Sequence, residues 1–405
     1  MREVAQVPQL RFPEFNQPLL ADILLNLTDI LRCGIAATPK YVDSGIIFLS
    51  SQNVTPTGKI SMEKYNFISE DYYKKISKNS KLLKGDILYS RVGSRYGNAA
   101  IFPFEGDYGV YVSLTHIRAS KQLNNTFLKF LLNSPIGKIQ AKKGIFQGGG
   151  VPNLNVKVVE KFKINFPTKP EQQKISAFLT AVDNKIEQLS KKQELLGEYK
   201  KGLMQQIFSQ IIRFKAGDTP GQPLLPNGNS PSGSDFPNWE EKRLGDLCEI
   251  TTGKLDANAM VEGGQYRFYT CAKEYYKIDD YAFDTDALIV SGNGANVGYI
   301  HHYQGKFNAY QRTYVLDSFT DNIIFVKFVL DEYLHKRIMK EKNEGNTPYI
   351  VMGTLTDMKI NLPSFSEQTK ISNFLSSIDN KIEQVGKQLD ESKQFKKALL
   401  QQMFV

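Results

Sequence analysis

Cysteine is scarce in this chain: three in 405 residues, Cys33, Cys248 and Cys271, with no two at the short spacings that metal sites use. That suits a reducing compartment, and a cytoplasmic protein is expected. Nothing resembling a secretory leader precedes Pro8. No apolar run approaches the roughly 20 residues that a bilayer span requires, so a membrane protein is not expected. Histidine is also rare, with four residues leaving little for acid-base chemistry. His301 and His302 adjoin on a stretch that reads as a strand, where neighbours point to opposite faces and cannot share a metal ion.

Nucleotide motifs are missing too. Each Gly-Lys pair, at Gly58, Gly137, Gly253 and Gly305, is followed by the wrong residue for a phosphate-binding GxxxxGK[ST] loop, so ATP hydrolysis by this chain is not expected. Residues 291–298, SGNGANVG, have the glycines of a dinucleotide or methyl-donor loop but not the following helical pattern, nor an acid about 20 residues on. The Asn/Asp-Pro-Pro-aromatic motif of amino-methyltransferases is absent, as is a spaced Asp, Glu and Lys set for a metal-dependent nuclease. No catalytic residue and no metal ligand are expected.

What the chain does have is a stretch written twice. Residues 167–208 return at 363–404, 196 residues on and without a gap; EQQKISAFL and DNKIEQ in the first copy become EQTKISNFL and DNKIEQ in the second. Apolar residues fall four and three apart: Ile175, Leu179, Val182, Ile186 and Leu189, then Ile371, Leu375, Ile378, Ile382 and Val385. That is a coiled-coil seam. It turns polar at Gln193 and Lys200, and again at Ser392 and Lys396, before resuming at Leu203 and Ile207 and at Leu399 and Met403. The pattern predicts two helices of about 40 residues, each about 60 Å long, which pack antiparallel if the second brings the chain back. Phe178, Phe374 and the pairs Leu203 with Met204 and Leu399 with Leu400 widen the apolar surface beyond the seam and are the candidate partner-binding residues.

Two globules precede the helices, and they share landmarks. Residues 85–93 are echoed by 285–294, and 149–154 with 163–167 by 345–350 with 359–363. Short β-branched runs at 45–49, 86–89 and 157–166 read as strands. A helix is expected over 125–143, where Phe127, Phe130, Leu131, Ile136 and Ile139 recur at near-helical spacing and Gly144 can end it. The fold class expected is α+β, loop-rich and pseudo-two-fold symmetric. Its parts are residues 1–166, a first globule; 167–214, a long helix; 215–235, a Pro-, Gly- and Ser-rich flexible connector; 236–362, a second globule; and 363–405, a second long helix. The Arg-Phe at Arg11 and Phe12 recurs after the first long helix at Arg213 and Phe214, as though the repeat were circular.

A net charge of +9 and a pI near 9.1 make a polyanion a plausible partner. From Lys59 to Arg95 there are nine Lys or Arg against four acids, mixed with Tyr65, Phe67, Tyr72, Tyr73 and Tyr89. Such a mixture suits phosphate contact and base stacking. The candidate DNA contacts are Lys74, Lys75, Arg91, Ser94, Arg95, Tyr96 and Gln147 in the first globule, and Asn293, Asn296, Gln311, Arg312 and Asn346 in the second. The Gly-rich loops at 147–150 and 291–294 either bring backbone amides close to phosphate or are ordinary tight turns.

The twin EQxKIS, FL and DNKIEQ helices, with the preceding GGVPNL and KGDIL stretches, resemble the conserved regions of type I restriction-modification specificity subunits over nearly the whole chain. The resemblance implies two target-recognition domains separated by two antiparallel helices, each domain reading half of a split double-stranded DNA sequence. It implies helices that set the spacer, and no catalytic centre or cofactor in the chain itself. Two modification subunits would dock and methylate adenine N6 from S-adenosylmethionine, and two restriction subunits would use ATP and Mg. The competing reading is a coiled-coil scaffold that holds protein partners without reading DNA; a self-contained nuclease or methyltransferase ranks behind both.

Overall fold

The structure is a computed structural model that describes residues 7–37, 39–78, 81–145, 150–215, 236–341 and 348–405. In chain order these form β1 (Leu20–Ile23), β2 (Thr28–Cys33), β3 (Ile46–Leu49), β4 (Asn66–Ile68), α1 (Glu70–Ile76), β5 (Ile87–Ser90), β6 (Ala99–Ile101), β7 (Tyr108–Val110), β8 (Leu114–Ala119), α2 (Asn125–Asn133), α3 (Pro135–Lys143), α4 (Val156–Val159), β9 (Lys163–Phe166) and the long α5 (Lys169–Phe208). The second half has β10 (Glu240–Arg243), β11 (Glu249–Thr252), β12 (Tyr266–Tyr269), β13 (Tyr276–Ile278), β14 (Phe283–Ser291), β15 (Ile300–Ala309), β16 (Thr313–Asp317), α6 (Ile323–Glu341), α7 (Met352–Thr356), β17 (Lys359–Leu362) and the long α8 (Phe365–Gln402). Two compact units divide the chain: Met1–Ser190 with Lys387–Val405, and Lys191–Gly386. Each boundary falls inside a long helix. The connector over 215–235 lies outside the described residues from 216 onward.

In the first unit, β2-β8-β5-β6 form an antiparallel sheet and β4-β3-β7 a smaller mixed one, while β1 pairs antiparallel with β9. The expected strands at 45–49 and 86–89 are β3 and β5. The expected helix over 125–143 is instead two. Ser134 ends α2 and caps α3, its hydroxyl accepting from Gly137 N–H, and Pro135 at the first position of α3 has no N–H to continue α2. The strand expected over 157–166 begins as the short helix α4, because the Asn155 side chain accepts from Lys157 N–H and starts a helical turn; only β9 is extended.

The second unit has one six-stranded sheet, β11-β16-β14-β15-β12-β13, and the pair β10 with β17. Here the helix after the sheet is not interrupted. Across 19 residues α6 buries Phe325, Val326, Phe328, Val329, Leu330, Leu334 and Ile338, positions that lie on most sides of the helix, as expected of a helix enclosed by its unit.

The repeated EQxKIS motif locks the start of each long helix onto its unit. Glu171 is buried and holds Arg11 through two hydrogen bonds of 2.7 Å; Glu367 is buried and holds Arg213 at 3.1 and 2.7 Å. Gln172 accepts from Asn124 N–H and donates to the Gln122 and Pro167 carbonyls, while Gln368 accepts from Asn322 N–H and donates to Pro363 O and Asp321. Asn124 and Asn322 cap α2 and α6, and Ser176 and Ser372 donate to those same Asn side chains. Buried polar groups are tolerated only when bonded, and these are. The Arg-Phe repeat finds its reason in the same place: the Phe12 ring meets Phe178 edge-on at 5.8 Å, and Phe214 meets Phe374 at 5.6 Å.

Within each unit the two long helices run antiparallel. In the first, Glu171 lies by the Arg11 segment whose neighbour Leu10 donates to Gln402 O, and further along Asp183 pairs with Lys396 at 2.5 Å. In the second, Lys200 pairs with Asp379 at 2.7 Å. Adding 196 to 183 and to 200 gives 379 and 396, so one ion pair is written twice with its partners exchanged, as a self-complementary contact requires. The polar seam positions Lys200 and Lys396 are thus the cations of Asp379 and Asp183. Of the seam residues, Ile175, Leu179, Leu189, Ile371, Leu375, Ile378 and Val385 are buried.

Candidate nucleic-acid interface

Strand β5 enters a turn that carries four of the expected contacts, and the backbone fixes which residues correspond in the second unit. Ser90 bonds Asn98 O and Gly97 N–H, as Ser291 bonds Tyr299 O and Gly298 N–H. Arg91 N–H donates to Ser113 O and its carbonyl accepts from Leu154; Gly292 N–H donates to Arg312 O and its carbonyl accepts from Ile350. Arg91 therefore corresponds to Gly292, Arg95 to Asn296 and Tyr96 to Val297.

The Arg91 side chain is turned inward. It is 7% exposed and donates to Leu154 O at 2.8 Å, Val112 O at 2.9 Å and Asn153 Oδ1 at 3.3 Å. Burial lowers its pKa from the ordinary arginine value. It ties the β5 turn to the loops at 112 and 153–154. The second unit has no side chain at Gly292, where a Cβ would lie 2.3 Å from Arg312 O, and there the Tyr314 hydroxyl donates to the matching Ile350 carbonyl at 2.8 Å. Ser94 and Arg95 face solvent, with Arg95 donating to Gln52 O at 2.6 Å; Tyr96 packs half-buried on the core. Lys74 and Lys75 are exposed on the last turn of α1, a helix anchored through Tyr73 on β3 and β4 residues.

In the second unit the four described candidates converge. Asn293 and Asn296 lie on the turn from β14 to β15, with Asn296 donating to Cys271 O. Cys271 Sγ and Gly292 N–H both donate to Arg312 O, and neighbouring Gln311 donates to Asp256 at 2.9 Å. Gln147 and Asn346 lie outside the described residues.

Sequence reasoning missed a tyrosine cluster. The Arg267 guanidinium lies 4.4 Å from the Tyr275 ring and 4.2 Å from the Tyr303 ring and donates to the Tyr269 hydroxyl. His301 sits 4.9 Å from both Tyr269 and Tyr299, and burial lowers its pKa below the usual imidazole value. Tyr275, Tyr276, Tyr281 and Tyr299 remain exposed. Five tyrosines between 266 and 281 were the available signal.

The helix residues expected to meet partners contribute mostly to the units themselves. Leu203, Met204 and Leu399 are buried, Leu400 packs half-buried on the first core, and Phe178 and Phe374 are half-covered by Phe12 and Phe214. Leu195, Tyr199 and Phe395 are exposed instead, at 50, 55 and 52%. Tyr199 and Phe395 stand 196 residues apart, at one position of the repeat. Among the described residues no group of His, Cys, Asp or Glu could hold a metal ion, and no helix is long and apolar enough to cross a membrane.

The family described as "Type I restriction modification DNA specificity domain" matches residues 40–196 and 237–392. Over 167 residues, which are 40% of this chain and 37% of the relative, the sequence is 41% identical to the EcoDI specificity subunit of Escherichia coli. It is 25% identical over 366 residues to the MjaVIII specificity subunit of Methanocaldococcus jannaschii, covering 82% of this chain and 81% of that one. The fold is similar to the crystal structure of a type I restriction-modification S subunit from M. genitalium, with a TM-score of 0.65, 17% identity and 99% of each chain covered.

Proposed function

Because the chain belongs to the family of type I restriction-modification DNA specificity domains, we propose that it is the specificity subunit of such a system, each unit reading one half of a bipartite duplex target. Its role is DNA target recognition and not catalysis. Modification subunits, two per chain, dock on the exposed faces of α5 and α8 marked by Tyr199 and Phe395, and restriction subunits join them in the cytoplasm. S-adenosylmethionine, ATP and Mg belong to those partners.

One observation carries this reading: a single backbone frame is built twice, and its turn differs at corresponding positions, exposed Arg95 against half-buried Asn296. A frame that is kept while its loop residues change is how recognition is diversified on a scaffold. Of the two, Arg95 suits guanine and Asn296 adenine in a major groove. Co-expression with the modification subunits followed by mapping of methylated adenines tests it. Arg95→Ala should relax the first half-sequence alone and Asn296→Ala the second alone, each by about 1–3 kcal/mol of discrimination. Assembly without any sequence-specific methylation would favour the scaffold reading.

A further inference from the structure

The net charge of the chain resides in one unit. Residues 1–190 with 387–405 contain 29 Lys and Arg against 17 Asp and Glu, leaving +12; residues 191–386 contain 22 against 25, leaving −3. Even if every carboxylate of the first unit met one cation, twelve cations would remain unbalanced, whereas the carboxylates of the second unit outnumber its cations.

The same contrast holds locally. Lys74, Lys75 and Lys78 are exposed at the end of α1 and form no ion pair among the described residues. From Lys254 to Arg312, the stretch that holds the second unit's candidate turn and sheet, six cations face seven acids. Four of the six, Arg267, Lys273, Lys277 and Lys306, lie over tyrosine rings. That surface offers Tyr275, Tyr276, Tyr281 and Tyr299, which act by short-range contact.

We propose that the first unit supplies the sequence-independent, salt-sensitive grip on duplex DNA, chiefly through the lysines that end α1, and that the second unit adds almost none. This rests on the DNA-reading function above and assigns different physics to its two halves. Cations that neutralise phosphates release condensed counterions, giving an affinity that falls steeply with salt; rings and amides at base edges do not. The first unit thus makes the encounter, and the second contributes only where its half-sequence fits.

The test uses the full chain, a fluorescent 30-base-pair duplex of arbitrary sequence and salt from 50 to 200 mM. Lys74→Gln/Lys75→Gln/Lys78→Gln should bind about tenfold more weakly at 50 mM, with a log-log salt slope shallower by about 2 to 3, since each phosphate contact contributes about 0.9. Lys254→Gln/Lys273→Gln/Lys277→Gln should stay within about twofold of wild type with an unchanged slope. Unaltered melting curves for both variants establish that neither acts by unfolding. Equal losses from the two triples, or no loss from the first, would overturn the proposal while leaving the DNA-reading function standing. A wild-type chain that ignores the duplex at 50 mM would overturn both.

Discussion

Asp86, just before β5, and Asp286, within β14, are acids in opposite surroundings. Asp86 is buried and accepts from Arg118 Nε and Nη2 at 2.8 Å, His116 Nε2 at 2.7 Å and Leu83 N–H at 2.8 Å. Burial alone would raise its pKa, but the bonds from Arg118, His116 and Leu83 outweigh it and hold the carboxyl below the ordinary range. A depressed folded pKa stabilises fully above the unfolded value of about 4 and is lost as pH falls through the folded one. Urea unfolding of Asp86→Asn should therefore show a loss of about 3–5 kcal/mol at pH 7 and a flatter decline below pH 4 than wild type. Asp286 is 40% exposed and pairs with His302, so Asp286→Asn should unfold much like wild type. Arg91 shows what a sequence hides at this scale. It reads as a base-edge donor, but its donors are satisfied by carbonyls 21 and 63 residues away, and no local pattern announces such a distant demand.

The long helices were legible as elements because repetition and seam both point to them. The break at Pro135 and the short helix α4 were not read, since a run of suitably spaced apolar residues masks a capping Ser or Asn. Glycine tests how the helix surfaces are used. Gly197 and Gly202 lie inside α5, and a Cβ at either would meet nothing within 4 Å. Replacing both by Ala should raise stability by about 1–2 kcal/mol in total, because a helical glycine sacrifices backbone entropy without compensating contact. Thermal unfolding reads that gain. Co-purification with modification subunits reads a second quantity: if a partner backbone approaches these bare positions, binding should weaken while the chain itself grows more stable.

At the scale of the molecule, the paired motifs and the circular Arg-Phe repeat were visible in the sequence, but the division of the chain was not drawn from them. The second unit is one continuous segment but the first is not: it ends its core with Leu399, Met403 and Phe404, all buried, with the Phe404 ring 5.5 Å from Phe127 and Asn165 donating to Val405 O. Deleting 399–405 should open the first unit, since each lost core side chain costs about 2–5 kcal/mol. Limited proteolysis with mass mapping should find new cuts between 7 and 190 and continued protection of 236–386. Cuts confined to the second unit would contradict the assignment. The same arrangement governs the order of events during synthesis. Residues 1–190 leave the ribosome first yet lack part of their core until residue 405 has emerged, while residues 191–386 have all their own segments earlier. The unit made first is finished last, and a nascent chain stalled inside α8 holds a complete second unit beside a first one that only the final turns of helix can close.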